Sequence, residues 1–375
     1  MHEGRWINDG YDAVYGIGLV PARVHGDNFF RPTATMPPTL PEHLIAPARQ
    51  CLLTLIKRRT SCKTTQYHRP SIHCANKKAR MSKPSTNGLQ APPCQGPDPF
   101  PRAPRFRMPR GSCDCHAHVI GSPDHYPFTA ERSYTPPPAP EQAYFAMHNA
   151  LGIERGVLVQ VSVHGTDNRL LVETLRRHPQ RLRGIAVVTL DVAEAELDVL
   201  DAAGVRGLRC NELFGGGVGL EAMATLARRI ARRGWHLQLL IDGRRLPSIS
   251  ARLARLPVPF VIDHMGCIPT AGGLDDPGFQ ELCKLLQEAD CWVKISGANR
   301  ISSESIPYRD TIPFARALVA ARPERAVWGS DWPHVAIEGP MVNDGVLLDL
   351  LAEWVPDAAT RTRILVDNPA ALYGF

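Results

Sequence analysis

The chain has 375 residues, 44% of them hydrophobic and 21% charged, with a formal net charge of +6. That is ordinary globular composition, long enough for two average domains or for one α/β barrel of about 250 residues with an extension. No apolar run reaches membrane-span length, and the ten cysteines have no framework spacing, so a membrane-embedded chain and a disulfide scaffold are both excluded.

Charge divides the chain. Residues 1–110 carry 17 Lys and Arg against 6 Asp and Glu, whereas residues 111–375 carry 26 against 31. The basic character thus belongs to the first segment, and the rest gives no footing to nucleic-acid binding. Residues 1–110 show no sustained period. Proline recurs from Pro92 to Pro109, and one apolar island, Leu52 to Ile56, precedes Lys57-Arg58-Arg59. A basic tail or an organellar address is one reading. The reading adopted is a disordered Pro/Arg-rich extension and linker, with Met81 as an alternative start. The start has no charged region followed by an apolar core, so a secretory signal is not expected, and the free cysteines suit the cytoplasm.

From residue 111 short apolar, β-branched runs alternate with amphipathic stretches. The pattern predicts strands at 112–119, 156–163, 183–189, 205–209, 236–241, 260–263, 291–296 and 326–329. It predicts helices at 141–151, 168–177, 192–203, 220–233, 246–256, 279–289, 310–321 and 344–355. Leu220, Met223, Leu226 and Ile230 share one helical face, with Arg228, Arg229 and Arg232 off it. Eight βα repeats over 265 residues predict a (β/α)8 barrel. An open doubly wound sheet is the alternative, but no Gly-x-Gly-x-x-Gly follows the first strand.

In such a barrel the reacting groups stand at the C-terminal ends of strands. The first strand ends in His116-Ala117-His118. Alternation sends both imidazoles to one side, where they can reach a common metal ion or polarised carbonyl. Gln160, Ser162 and His164 alternate along the second strand. The fourth ends in Arg209-Cys210-Asn211, and the fifth contains Gln238. The sixth ends in Asp263-His264, the seventh runs on to Arg300, and the eighth ends in Ser330-Asp331. Singly, each has a structural explanation. Together they form a polar rim, and unpaired buried polar groups cost about 1–3 kcal/mol each.

These stretches together resemble the amidohydrolase superfamily in its amidohydrolase-2 branch. The motifs are Asp114-Cys115-His116-Ala117-His118, Ile262-Asp263-His264-Met265-Gly266, Trp292-Val293-Lys294-Ile295-Ser296-Gly297 and Trp328-Gly329-Ser330-Asp331-Trp332-Pro333-His334. Residues 160–168 and 204–211 are similar to the second- and fourth-strand signatures of the 2-pyrone-4,6-dicarboxylate lactonase-like group, which includes muconolactone and sugar-acid lactonases. The resemblance covers 111–375. It implies a distorted (β/α)8 barrel that hydrolyses a small carboxylated lactone, working as a monomer or small homo-oligomer.

The resemblance picks out His116, His118, His264 and Asp331, and residue chemistry suggests roles for these and for their polar neighbours. Asp331 activates water as general base, and His116, His118 and His264 polarise the carbonyl. Arg209 and Arg300 hold the substrate carboxylate, with Ser162, His164, Tyr134, Gln238 and Tyr308 as further polar contacts. No metal is required on this reading. The alternative is one divalent ion such as zinc on His116, His118, His264 and Asp331, in a decarboxylase acting on an aromatic or unsaturated acid. Two departures stand out. His164 occupies a position where the group has tyrosine, and the loop 212–219 lacks basic residues. A substrate with fewer negative charges than the pyrone dicarboxylate, or an anion held elsewhere in the site, is therefore expected.

Overall fold

A computed structural model describes residues 91–375. Eight strands run β1 Cys113–Ala117, β2 Arg155–Val159, β3 Leu182–Ala186, β4 Val205–Asn211, β5 His236–Leu240, β6 Phe260–Ile262, β7 Cys291–Ile295 and β8 Ala326–Trp328. All neighbours pair in parallel, in the order β1 to β8. Between them lie α1 Glu141–Leu151, α2 Arg169–Arg177, α3 Glu194–Ala203, α4 Met223–Ile230, α5 Leu246–Leu253, α6 Pro277–Glu288, α7 Ala298–Ile301, α8 Ile312–Ala321 and α9 Asp344–Trp354. The predicted (β/α)8 barrel is the observed fold. Helix starts follow ordinary capping chemistry. At α6, Asp276 accepts from the Gly278 and Phe279 amides, and Pro277 occupies the first turn.

Alternation sorts each strand into two faces. Leu158, Leu208, Leu239, Val293 and Ile295 join the large core shared with the helices. Cys113, Cys115, Val157, Val159, Ile185, Val261, Trp292 and Val327 form a second cluster closed off by Tyr373. Strict alternation in β1 would then turn His116 and His118 away from the side that Cys113 and Cys115 face. The β1–β2 register shifts between Asp114 and Ala117, and that irregularity re-aims both histidines.

Closure falls on the same residues. The Asp331 amide donates to the His116 carbonyl at 2.8 Å, and the His118 amide donates to the Trp332 carbonyl at 2.8 Å. Buried Asp114 pins the seam from behind. Its Oδ1 accepts from the His116 amide at 3.1 Å and the Ser330 amide at 2.8 Å. Its Oδ2 accepts from Ser330 Oγ at 2.6 Å and from Tyr144 at 3.3 Å. Gly329 makes the approach possible, because a Cβ there would lie 2.6 Å from His116 Cβ.

Two expectations change. Strand two stops at Val159, and Ser162–His164 is a 3-10 turn, so Gln160, Ser162 and His164 do not alternate along a strand. The Gln160 amide instead donates to the Gly165 and Asp167 carbonyls and shapes that turn. The second change concerns the expected extension 1–110. Its part 91–105 is held against the barrel. The Cys94 amide donates to Thr135 O at 3.0 Å, and Gln95 donates to Gly339 O at 3.0 Å. Asn343 donates to Asp98 at 2.8 Å and to Phe100 O at 2.9 Å, while the Arg105 amide reaches Asp349 at 2.7 Å. Prolines prevent a helix here but leave carbonyls and side chains free to bond. The remainder of that expectation, including the apolar island and Met81, lies outside the described residues.

Gly329→Ala tests the seam. The added methyl meets the His116 Cβ and backbone nitrogen, so overpacking should cost about 1–3 kcal/mol. A thermal melt should show Tm lower by several degrees, at about 2–4 °C per kcal/mol for a domain of this size.

Candidate active site

Side chains from three strand ends, those of β1, β6 and β8, converge on one carboxylate oxygen. Asp331 Oδ1 lies 3.7 Å from His116 Nε2, 3.8 Å from His118 Nε2 and 3.6 Å from His264 Nε2. All four side chains are buried, and neither Asp331 Oδ1 nor His116 Nε2 has a hydrogen-bond partner. The spacing is too long for direct hydrogen bonds and suits an atom placed between them. The other carboxylate oxygen, Oδ2, accepts a hydrogen bond from Arg300 Nε at 2.8 Å, and Nη2 lies 2.7 Å away as the rest of the ion pair. Arg300 also donates to Val335 O at 3.3 Å, which ties the guanidinium to the loop after β8.

Each imidazole is held from behind. His118 Nδ1 is 2.8 Å from Val159 O, and His264 Nδ1 is 2.9 Å from Ser296 Oγ. His116 Nδ1 is 3.3 Å from Lys294 Nζ and 3.4 Å from Asp263 Oδ1. Gly297, at φ +63°, lets β7 pass close to His264, since a Cβ there would lie 2.8 Å from that side chain. Below the histidines, Lys294 Nζ donates to Gln238 Oε1 at 2.6 Å, and Gln238 Nε2 donates to Asp263 Oδ2 at 2.9 Å. Arg209 closes this layer, with Nε 3.7 Å from Asp263 Oδ2 and Nη1 3.4 Å from Gln160 O.

Burial and neighbouring charge set the protonation states. Burial, then the charges of Lys294, Arg209 and Arg300, push His116 well below the ordinary histidine value. Burial and Arg209 bring His118 down to about 3, and burial lowers His264 in the same way. The three rings are therefore neutral at pH 7. Burial raises Asp331 above the ordinary aspartate value, although the Arg300 charge opposes this. Burial would likewise raise Asp263, but Lys294, His264 and Arg209 outweigh it and hold the carboxylate low.

Three neutral imidazole nitrogens and a carboxylate oxygen are a donor set that fits a divalent metal. His116, His118 and Asp331 bring ligand atoms within 4.8 Å of one another, and so do His116, Asp263 and His264. The two unpartnered atoms, Asp331 Oδ1 and His116 Nε2, belong to the first set.

The amidohydrolase family profile matches residues 113–375, which include all four side chains of the site. This chain belongs to the amidohydrolase family. A 4-sulfomuconolactone hydrolase of Rhizobium radiobacter is 39% identical over 288 residues, covering 76% of this amidohydrolase and 96% of the relative. A 2-pyrone-4,6-dicarboxylate hydrolase of Comamonas testosteroni is 36% identical over 284 residues, covering 73% and 93%. A crystal structure of an Agrobacterium tumefaciens protein matches with a TM-score of 0.68 at 30% identity, over 74% of this chain and 99% of that one.

The remaining expected residues of this amidohydrolase are scattered more widely. Tyr134 is buried near Ser162, Arg209 and Arg300, its hydroxyl pushed up to about 12 chiefly by burial, and it stacks edge-on to Phe214. Ser162 accepts from Asn211 at 2.9 Å. His164 packs among Phe128 and Tyr126 with both ring nitrogens unbonded. Gln238 is engaged inside the barrel with Asp263 and Lys294. Tyr308 stands at φ +64° ahead of α8, and among the described residues no hydrogen bond joins it to the histidines.

Asp263, Lys294 and Ser296 were given no role from the sequence. Lys294 carried a signal all the same: a lysine inside an apolar parallel strand is rarely buried without a partner. Period two also places Trp292, Lys294 and Ser296 on one face, rising toward His264.

The raised Asp331 value has a kinetic consequence. If the carboxylate is the working base, it is lost as pH falls through its own value, above the 3.8 of an ordinary aspartate. The profile of kcat/KM against pH should show one acid limb there. It should show no inflection near 6.5 that His118→Gln removes, since His118 is already neutral.

Proposed function

We propose that this protein opens a small carboxylated lactone by hydrolysis. The observation that carries the reading is Asp331 Oδ1, buried, without a hydrogen-bond partner and ringed by three imidazole nitrogens at 3.6–3.8 Å. A water placed there meets a base and lies beside groups able to polarise a carbonyl. Its oxygen attacks the lactone carbonyl carbon while Asp331 takes its proton. The tetrahedral intermediate then collapses, the ring C–O bond breaks, and the proton passes to the departing oxygen. The curated relatives support this reaction class, as both are named for opening cyclic esters.

The substrate carboxylate is met by the Arg209 side of the site. Arg300 already donates to Asp331 through Nε and to Val335 O through Nη2, so its first task is to orient the base, and its Nη1 is what it can offer a substrate. Tyr134 and Phe214 stand beside them, with the Arg300 guanidinium over the Phe214 ring. The loop 212–219 brings no basic side chain, which favours a lactone with fewer anionic groups than the pyrone dicarboxylate.

The reaction is proposed to run without a required metal. Lys294, Arg209 and Arg300 surround the histidines with positive charge, which weakens a cation's hold. Should one bind, His116, His118, His264 and Asp331 would hold it, and it would supply Lewis acidity to the carbonyl and acidity to water. Among the described residues the seven cysteines are free, in keeping with a cytoplasmic setting, and no helix is long and apolar enough to cross a membrane.

A panel of muconolactones, sulfomuconolactone, pyrone dicarboxylate and sugar-acid lactones, followed by proton release at constant pH, tests the reading. At least one should open, Asp331→Asn should lower kcat by about 10²–10⁴-fold, and prior chelation should leave the rate unchanged. Release of carbon dioxide from an aromatic acid, with every lactone left intact, would sink it.

A further inference from the structure

Hydrogen-bond direction inside the barrel can be followed outward from one carboxylate. Asp263 is fully buried and its oxygens only accept. Gln238 meets Asp263 Oδ2 at 2.9 Å, so its amide presents the NH2 group there and its carbonyl oxygen on the other side. That oxygen is 2.6 Å from Lys294 Nζ, so the lysine donates. Lys294 is 0% exposed; burial pulls its value down, while the Asp263 carboxylate 3.5 Å away favours the ammonium, which has donors only. A further donor faces His116 Nδ1 at 3.3 Å. Nδ1 therefore receives, and the proton of neutral His116 sits on Nε2. Across the His-x-His pair the direction reverses. His118 Nδ1 lies 2.8 Å from the Val159 carbonyl oxygen, which only accepts, so its proton is on Nδ1 and its Nε2 carries the lone pair.

We infer that the two histidines of the His-x-His pair are held in opposite tautomers, His116 as an Nε2 donor and His118 as an Nε2 acceptor, with Lys294 as the positioning residue that sets the first. The tautomers stand on hydrogen-bond direction alone; their catalytic meaning rests on the lactone-opening reading. Asp331 Oδ1 and His118 Nε2 are two acceptors 3.8 Å apart, a gap that one water bridges by giving a hydrogen to each. Its lone pairs then point away from both. His116 Nε2–H, 3.7 Å from the same carboxylate oxygen, is the donor aimed at a carbonyl oxygen. The two rings divide the work: one holds water, and the other polarises the bond that water attacks. His264 is bound through a hydroxyl, which both donates and accepts, so it is free to serve either side.

The same arrangement bears on metal affinity. A divalent ion needs a lone pair on each Nε2. His118 offers one. His116 offers one only if its proton moves to Nδ1, where Asp263 Oδ1 at 3.4 Å could accept it but the Lys294 ammonium stands at 3.3 Å. Lys294 thus disfavours His116 as a metal ligand while favouring it as a hydrogen-bond donor.

The test uses the full chain labelled with ¹⁵N-histidine, prepared without metal, and multiple-bond ¹H–¹⁵N spectra at neutral pH. His116→Gln and His118→Gln assign the two rings. The expected result is protonation of His116 at Nε2 and of His118 at Nδ1; the same tautomer on both rings overturns the inference. In Lys294→Met the His116 proton should move to Nδ1, and zinc affinity, measured by chelator competition, should rise about 10-fold or more. An unchanged ring with unchanged zinc affinity overturns the role of Lys294. If Lys294→Met does not fold, Gln238→Leu removes the oxygen that aims the ammonium and reads the same shift. None of these spectra needs a substrate. Failure to open any lactone would therefore sink the proposed reaction and leave the tautomers standing.

Discussion

A parallel sheet becomes a barrel only where its first and last strands meet, and here that meeting hangs on Asp114. Its two oxygens gather the His116 amide, both the amide and hydroxyl of Ser330, and the Tyr144 hydroxyl. Removing the carboxylate would leave several buried donors unmatched, at about 1–3 kcal/mol each. The two cross-strand bonds beside it use the backbone of His116, His118, Asp331 and Trp332. The same few residues therefore close the barrel and carry three of the four groups around the candidate reaction centre. A site built on a seam is rigid for the same reason that the fold is closed.

Charge is the second constraint. Five ionisable side chains other than histidine lie beneath and beside the rings: buried Lys294 and Arg209 and half-buried Arg300 against buried Asp263 and Asp331. Burial holds the histidines neutral, and the surplus positive charge adds to it. Neutral imidazoles keep one donor and one acceptor each, so their roles depend on what stands behind them. The pairing of Arg300 with Asp331 is part of the same economy of position, since it fixes which carboxylate oxygen faces the rings. It also explains why the guanidinium is less open to a substrate than its place in the sequence implied.

Much of this was legible beforehand, and the exceptions have physical causes. Alternating βα periods were enough for the barrel, because eight strands buried on both sides read as apolar runs whatever their exact ends. The rim histidines and Asp331 stood out because polar residues at strand ends break that apolar texture. Gln160, Ser162 and His164 misled because polar residues two apart imitate a strand when the chain is in fact turning. Lys294 and Asp263 went without roles because their importance lies in partners on other strands, and no local pattern in β6 or β7 announces Gln238 or His116. The β1 irregularity was equally invisible, since a register shift belongs to a pair of strands and not to either sequence alone.

The segment 91–105 lies ahead of the family's matched region, yet it laces together the loops that follow β1 and β8, touching Thr135, Gly339 and Asn343. Where the polypeptide is cut for expression is therefore a chemical decision as much as a practical one. A product begun at Met81 keeps every one of these ties. One trimmed to Gly111, the boundary that hydrophobic texture alone suggests, would lose the ties on Gly339 and Asn343 in the loop that follows β8, while the Asp331 backbone would keep its bonds to β1.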